Sequence, residues 1–588
     1  MKQRELLVNA ARGIQPLDLL VKNVRLVNVF TLEVYPAEIG VFQGRIVSID
    51  TPGGIKRPAV SQFDGQGRFA VPGLIDTHVH IESSMMSPAG FAAAVLPRGT
   101  TTVVTDPHEI GNVLGLRGVQ YMLDATAKLP LRVFFQAPSS VPAVPSLETA
   151  GAAFGAEEIG QMLDWDRVIG LAEVMDYVGV INQTERMQTI IQAALEREMV
   201  ISGHCPDVRG PDLAAYIVGG PLSDHEGREK SEFIEKLRSG MTIEGVVSSF
   251  NESMTVLADV IKEFGQVPPN LVLCTDDIYP NDLMRKGHLD EVFRVGVRAG
   301  ISPIELVRAA TLNGAIRHRL HDLGAIAPGK FADFVLVDDL NNFYAAEVFV
   351  NGMHVASQGE LCCDIPDAYL ALESENTVHL PHALTAQDFR MKADGEGLIQ
   401  RRNVLVIAPN LRRDIMVREM YVRDGWINLQ DMDDVCFVAI FERHGKAGNH
   451  ALALVSGLGL KKGAAATTVA HDSHNLVVLG RNPEDMALAA SRLAACGGGF
   501  CSVVGGQVQA ELPLPIGGLM SPARLEEIVP ELDRLNSALK AQGFFFSQPL
   551  KGIISLALPV IPAYGMTDLG LVDVALQTVI SDPGELGG

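Results

Sequence analysis

Between Val71 and Asp277 one pattern occurs eight times: a short apolar run, a turn, and a longer stretch before the next run. The runs are "VPGLIDTHVH", "TTTVVTD", "LRVFFQAP", "VIGLAEV", "MVISGHCP", "PLSDHE", "MTIEGVVSS" and "LVLCTDD". Short apolar runs bounded by turn residues read as buried strands. Several of the stretches between them, such as "TERMQTIIQAALERE" and "HEGREKSEFIEKLRSG", carry apolar residues at helical spacing. Eight strand–helix units over roughly 250 residues predict an α/β fold of the (β/α)8 barrel type. A doubly wound open sheet is the alternative. It leaves unexplained why so many of these strands end in metal-capable residues.

The flanks read differently. "DLLVKNVRLVNVF", "PAEIGVFQGRIVSID" and "FDGQGRFAVPG" alternate apolar and polar residues and break at Gly or Asn. "LGAIAPGKFADFVLVDDL", after residue 320, returns to short β-type segments. The expected organisation is a small β-domain built from residues 1–70 and 320–385, a barrel over 71–319, and a C-terminal α/β domain over 386–588. A chain of 588 residues with 47% apolar content has material for several cores.

Charge and cysteine content narrow the function. A formal charge of −22 repels phosphate backbones, so nucleic-acid polymers are excluded as partners and a small neutral substrate fits better. Seven cysteines, an odd number with no CxxC pair, argue against a disulfide framework and for a reducing compartment. The start, "MKQRELLVNAARG", has no long apolar core, and no stretch is clean enough to span a bilayer. The expected location is the cytoplasm, without a membrane partner. Soluble enzymes often assemble symmetrically, so a homodimer or larger homo-oligomer is expected.

The chemistry sits at the strand ends. His78 and His80 are two residues apart, so on a strand both point to one side and reach one ion together. A bare HxH is more often a turn or core pair. Here, however, Glu173, His204, His225, Asp276 and Asp277 stand at the ends of other predicted strands. Barrel active sites collect there. Four histidines with carboxylates suffice for two divalent ions and a bridging carboxylate.

The stretches "PGLIDTHVHIESSMMSP", "GTTTVVTDPHEIGNVLG", "SDHE", "TDDIYPNDLMRKGHLDEVFRVGV", "LGAIAPGKFADFVLVDDL", "HDSHNLVVLGRNPEDMALA" and "ELPLPIGGLMS" resemble the amidohydrolase superfamily, and within it the large metal-dependent bacterial adenine deaminases. The resemblance implies that His78, His80 and Asp276 hold one metal, that His204 and His225 hold the other, and that Glu173 bridges them. It implies manganese(II) or iron(II), with zinc as a further option. The implied reaction is hydrolysis of adenine to hypoxanthine and ammonia, with water activated by the ions. Asp276 would carry a proton to the departing amine, and Glu109 or His108 would serve a ring nitrogen. Asp106, Glu82 and Ser83 would line the substrate pocket.

Plainer readings stand beside these. Asp106 and Glu109, or Glu82 and its serine neighbours, would equally cap helices. His288 would either reach the substrate or lie on a helix surface, and the surface is the expectation. His471 and His474 would either approach the site from outside the barrel or serve structure alone. In the seventh run, Ile243 and Val246 replace the arginine and serine of the family's Arg-Glu-Gly-Ser segment, leaving Glu244 and Gly245. Loss of a charge near the pocket mouth would alter substrate hydrogen bonding. A second reading is therefore a deaminase or a cyclic amide or amidine hydrolase acting on another heterocycle. A scaffold without activity, the reading from a different class, predicts missing ligands, whereas every ligand position is filled.

Overall fold

The protein is described from a computed structural model covering residues 2–366, 372, 375–408, 412–560 and 563–581. The strand Leu17–Asn28 pairs antiparallel with Glu33–Phe42 and parallel with Ala59–Asp64 and Phe69–Pro72. Phe69–Pro72 in turn pairs with Phe334–Val337, from beyond the barrel, and Ala345–Val350 and Met353–Ser357 continue the sheet. Segments on both sides of the barrel thus share one nine-stranded sheet. A helix, Lys2–Ala11, covers it by burying Ala10 against Leu17, Leu20 and Phe42.

The chain leaves this sheet for the barrel at Gly73. A Cβ there would lie 2.1 Å from the Thr101 hydroxyl oxygen, so no larger residue fits the crossing. Eight parallel strands follow: β1 (Leu74–Val79), β2 (Thr100–Thr105), β3 (Arg132–Ala137), β4 (Val168–Val174), β5 (Val200–Gly203), β6 (Ser223–Asp224), β7 (Thr242–Val246) and β8 (Leu271–Cys274). They coincide with the eight apolar runs. β1, β2 and β8 are buried at every residue, as in a parallel sheet covered on both faces.

Strands β1 to β5 form one ladder and β6 to β8 another. Two junctions close the ring. The Leu222 amide donates to the Ile201 carbonyl at 3.2 Å, joining β5 to β6. The Asp276 amide donates to the His78 carbonyl at 2.9 Å, joining the end of β8 to β1. This closure excludes the open sheet.

The C-terminal region is a second nine-stranded sheet within residues 397–513, with the helices Pro483–Cys496 and Leu525–Gln542. It meets the barrel just past the HxH pair. The Ser521 amide donates to the Met85 carbonyl at 2.8 Å, and the Ser87 amide returns a bond of 2.8 Å to the Ser521 carbonyl. Arg285 and Asp533 add an ion pair at 2.8 Å. Among the described residues, no helix is long and apolar enough to cross a membrane. All seven cysteines are free.

One buried charge supports the strand ends. Lys236 Nζ donates to Asp224 at 2.9 Å, to Glu232 at 2.6 Å and to the Cys205 carbonyl at 2.8 Å, with all three side-chain charges sealed from water. Lys236→Met would strand two buried carboxylates and is expected to cost about 3–5 kcal/mol in chemical denaturation. Burial raises the Asp224 pKa, but Lys236 and His225 outweigh it and hold it at about 2. A depressed carboxyl stabilises the fold fully above its ordinary pKa. That contribution is therefore lost as pH falls from about 4 towards 2, and Asp224→Asn should flatten this part of the acid-unfolding curve.

Candidate active site

At the C-terminal ends of the strands, Glu173 stands between two imidazole pairs. Its Oε1 lies 3.2 Å from His80 Nε2 and 3.7 Å from His78 Nε2. Its Oε2 lies 2.9 Å from His204 Nδ1 and 3.3 Å from His225 Nε2. Asp276 Oδ1 completes the first group, 3.4 Å from His80 Nε2 and 3.6 Å from His78 Nε2. The structure thus brings His78, His80, Glu173, His204, His225 and Asp276 into one cluster. His204 alone of the six is partly exposed.

The hydrogen bonding around the cluster suits a cation. His80 Nδ1 lies 3.0 Å from the Asp106 carbonyl, which only accepts, so Nδ1 carries the proton. The Nε2 lone pair therefore faces Glu173 and Asp276. His78 Nε2 is buried with no hydrogen-bond partner among the described residues. On the His78–His80 side, unprotonated nitrogens and carboxylate oxygens converge without donors between them, which is costly to bury and which a divalent ion would satisfy. Burial opposes the charge on Asp276, but the neighbouring His78 and His80 prevail and hold its carboxyl well below the usual range. Asp276 also has φ +55°, a left-handed conformation that Asp and Asn adopt more readily than most residues.

A supporting layer fixes these side chains. The Asp76 carboxylate accepts the Thr275 hydroxyl and, at 3.1 Å, its amide, tying β1 to the segment before Asp276. The Tyr216 hydroxyl accepts the His204 amide at 3.0 Å and donates to the Val174 carbonyl at 2.8 Å, pinning the ends of β4 and β5 together. Tyr216→Phe leaves both backbone groups unpaired. It is expected to cost about 1–3 kcal/mol in thermal or denaturant unfolding.

The "TDPHEIG" segment reaches the same cluster. Asp106 Oδ2 lies 3.0 Å from His108 Nδ1, which is 3.7 Å from Glu173 Oε1. The helix His108–Leu114 has no side-chain N-cap bond among the described residues, so neither Asp106 nor Glu109 serves as its cap. Glu109 instead meets two histidines of the C-terminal region. His471 Nδ1 lies 2.6 Å from its Oε1, and His474 Nε2 contacts its Oε2. Glu82 accepts the Ile110 amide at 3.3 Å, and burial raises its pKa to about 7. The Ser83 hydroxyl donates to Asp277, the neighbour of Asp276.

Two expectations change. His288 is not on a surface: it is fully buried, its ring 3.0 Å from the Thr100 hydroxyl and 3.2 Å from that of Thr275, in the same network as Asp76. The strand-7 replacement does not fall at a pocket mouth either. Ile243 is fully buried in the main apolar core, and Glu244 accepts the Thr77 hydroxyl at 3.1 Å. Sequence reasoning passed over Tyr216 and Lys236, which sit on apolar helix faces with no local signal. It also passed over Asp472, whose Oδ1 is 3.7 Å from His108 Nε2.

A barrel with histidines and carboxylates gathered at its strand ends defines an amidohydrolase, and residues 69–355 match the amidohydrolase family model. Residues 411–578 match the adenine deaminase C-terminal domain. Curated relatives span nearly the whole chain. An adenine deaminase of Oleidesulfovibrio alaskensis is 42% identical over 573 residues, 97% of each chain. One from Kosmotoga olearia is 41% identical over 576 residues, 98% of each, and one from Methanothrix thermoacetophila 40% over 569 residues, 97% of each. This chain belongs to the adenine deaminase family.

Proposed function

We propose that this protein hydrolyses adenine to hypoxanthine and ammonia, with His78, His80 and Asp276 holding one divalent ion, His204 and His225 a second, and Glu173 between them. The observation that carries the reading is the division of Glu173: one carboxylate oxygen faces each imidazole pair, at 3.2 and 3.7 Å on one side and 2.9 and 3.3 Å on the other. A pair of divalent ions held there lowers the pKa of water and so supplies a nucleophile at neutral pH.

The chain's own groups do the rest. Asp276, held ionised, is the acceptor for the proton that water gives up, and it returns that proton to the departing amine. The Asp106–His108–Glu109 segment, within 3.7 Å of Glu173 through His108, is the source of polar contacts to the purine edge. Glu82 and Ser83 lie on the turn after His80 and wall the same space. Imidazoles with carboxylates suit manganese(II) and iron(II), and also zinc. Identity of about 42% over 97% of a curated adenine deaminase supports the choice of substrate.

The test is direct. Protein loaded with manganese is given adenine, and hypoxanthine and ammonia are measured. Formation of both in equal amounts is the expected result. A loaded protein that releases ammonia from another aminopurine, or opens a cyclic amide, while leaving adenine untouched would overturn the assignment.

A further inference from the structure

Glu109 belongs to the barrel, but its closest charged partners belong to the C-terminal region. His471 and His474 lie on a turn that closes on itself. The His474 amide donates to the Ala470 carbonyl at 2.8 Å, and the Ala470 amide donates to His474 Nδ1 at 3.1 Å. The second bond fixes a tautomer. With Nδ1 accepting, neutral His474 carries its proton on Nε2, the atom that touches Glu109. His474 is therefore a donor to Glu109 and has no lone pair left there for a cation. The turn is held from behind by Arg443, fully buried, whose guanidinium donates to the His474 carbonyl and, at 2.9 Å, to the Gly517 carbonyl and the Thr377 hydroxyl.

His471 differs. Its Nδ1 donates to Glu109 Oε1 at 2.6 Å, and its Nε2 is buried with no partner among the described residues. A carboxylate bonded to one imidazole nitrogen, with the other nitrogen free, is the arrangement that orients a histidine for proton transfer. The groups facing His471 are Glu109, Asp472, His474 and, through space, Asp277 beside Asp276. Phe250 flanks the ring at 6.3 Å between centroids.

We propose that Glu109 and His471 form a dyad across the two domains, in which His471 Nε2 donates a proton to a ring nitrogen of the bound heterocycle. This rests on the deaminase reading above. As the oxygen of water bonds to the amine-bearing carbon, the ring C=N π pair moves to the ring nitrogen, which takes the Nε2 proton. His471 becomes neutral and keeps its Nδ1–H on Glu109. Loss of the hydroxyl proton as the carbonyl forms and ammonia departs restores the imidazolium, so no net proton is consumed. Burial lowers the His471 pKa, but Glu109 and Asp277 prevail and raise it to about 9, so the ring is cationic at neutral pH. The C-terminal domain thereby supplies a catalytic residue, and the barrel without it lacks its acid.

The test compares wild type, His471→Asn, His471→Gln and His474→Gln as full-length, manganese-loaded proteins. Metal content, thermal midpoint and the pH profile of kcat/KM for adenine are measured. Asparagine and glutamine keep an N–H for Glu109 and lose Nε2. Both His471 variants are expected to bind as much metal as wild type and to lose about 100-fold or more in kcat. The fall in wild-type activity above about pH 9 should vanish with them, a change that a structural role would not produce. A folded, metal-replete His471 variant within about threefold of wild type, or one that keeps the basic limb, overturns the dyad. So does an equal loss in His474→Gln, or a third ion per chain that disappears with His471. Wild type that releases no ammonia from adenine overturns the underlying reading instead.

Discussion

Asp276→Asn is expected to lower the turnover of adenine by about 1,000-fold or more while the protein stays folded. The two halves of this expectation have separate causes. The amide cannot take up a proton at neutral pH, so the route from water to the departing amine is lost. It also removes the negative oxygen that lies 3.4 and 3.6 Å from the two imidazoles of the HxH pair. The backbone at this position does structural work that the side chain does not. The amide closes the barrel onto His78, and the φ of +55° is one that asparagine tolerates. Steady-state rates beside an unchanged thermal midpoint separate the effects, and a variant within about tenfold of wild type would remove the proposed proton carrier.

Glu173→Gln should be equally damaging by another route. One carboxylate answers to four imidazoles, and its charge is what makes that convergence favourable. Burial opposes the charge, but His78, His204, His225 and His80 hold the carboxyl far below its usual range. A neutral amide keeps a single acceptor oxygen, so it cannot serve both imidazole groups at once. Metal retention is expected to weaken by about 100-fold or more, with activity lost in step. Elemental analysis after dialysis against a weak chelator measures this directly. Wild-type metal content in the variant would show that Glu173 does not link the two groups.

Much of the fold could be read from the chain because its strands are short apolar runs with clear boundaries. Even β6, only Ser223–Asp224 as a ladder, was findable, since the run ends in His225. The strands Ala464–Thr467 and His450–Ser456 were not found: small and mixed side chains give no period that separates strand from helix. The helix Lys2–Ala11 is not legible because its apolar residues, Leu6, Leu7, Val8, Ala10 and Ala11, bunch together and show no clear helical period.

The same division runs through the site. His78, His80, His204 and His225 announce themselves because each follows an apolar strand run. Tyr216 and Lys236 do not, because a buried hydroxyl or ammonium on a helix acquires its role only from what tertiary packing sets opposite it. The histidines of "HDSHN" were visible by spacing. Their reach to Glu109, 365 residues away for His474, belongs to domain docking and leaves no trace in local pattern.

The seam between the last strand and the first deserves to be seen as a mechanical fact. The ring is fastened by the backbone of His78 and Asp276, whose side chains belong to the cluster around Glu173, so a fluctuation that parts the seam must also spread the cage. Breathing of the scaffold and escape of its cargo become a single motion, and whatever the cage grips acts as a rivet for the whole cylinder.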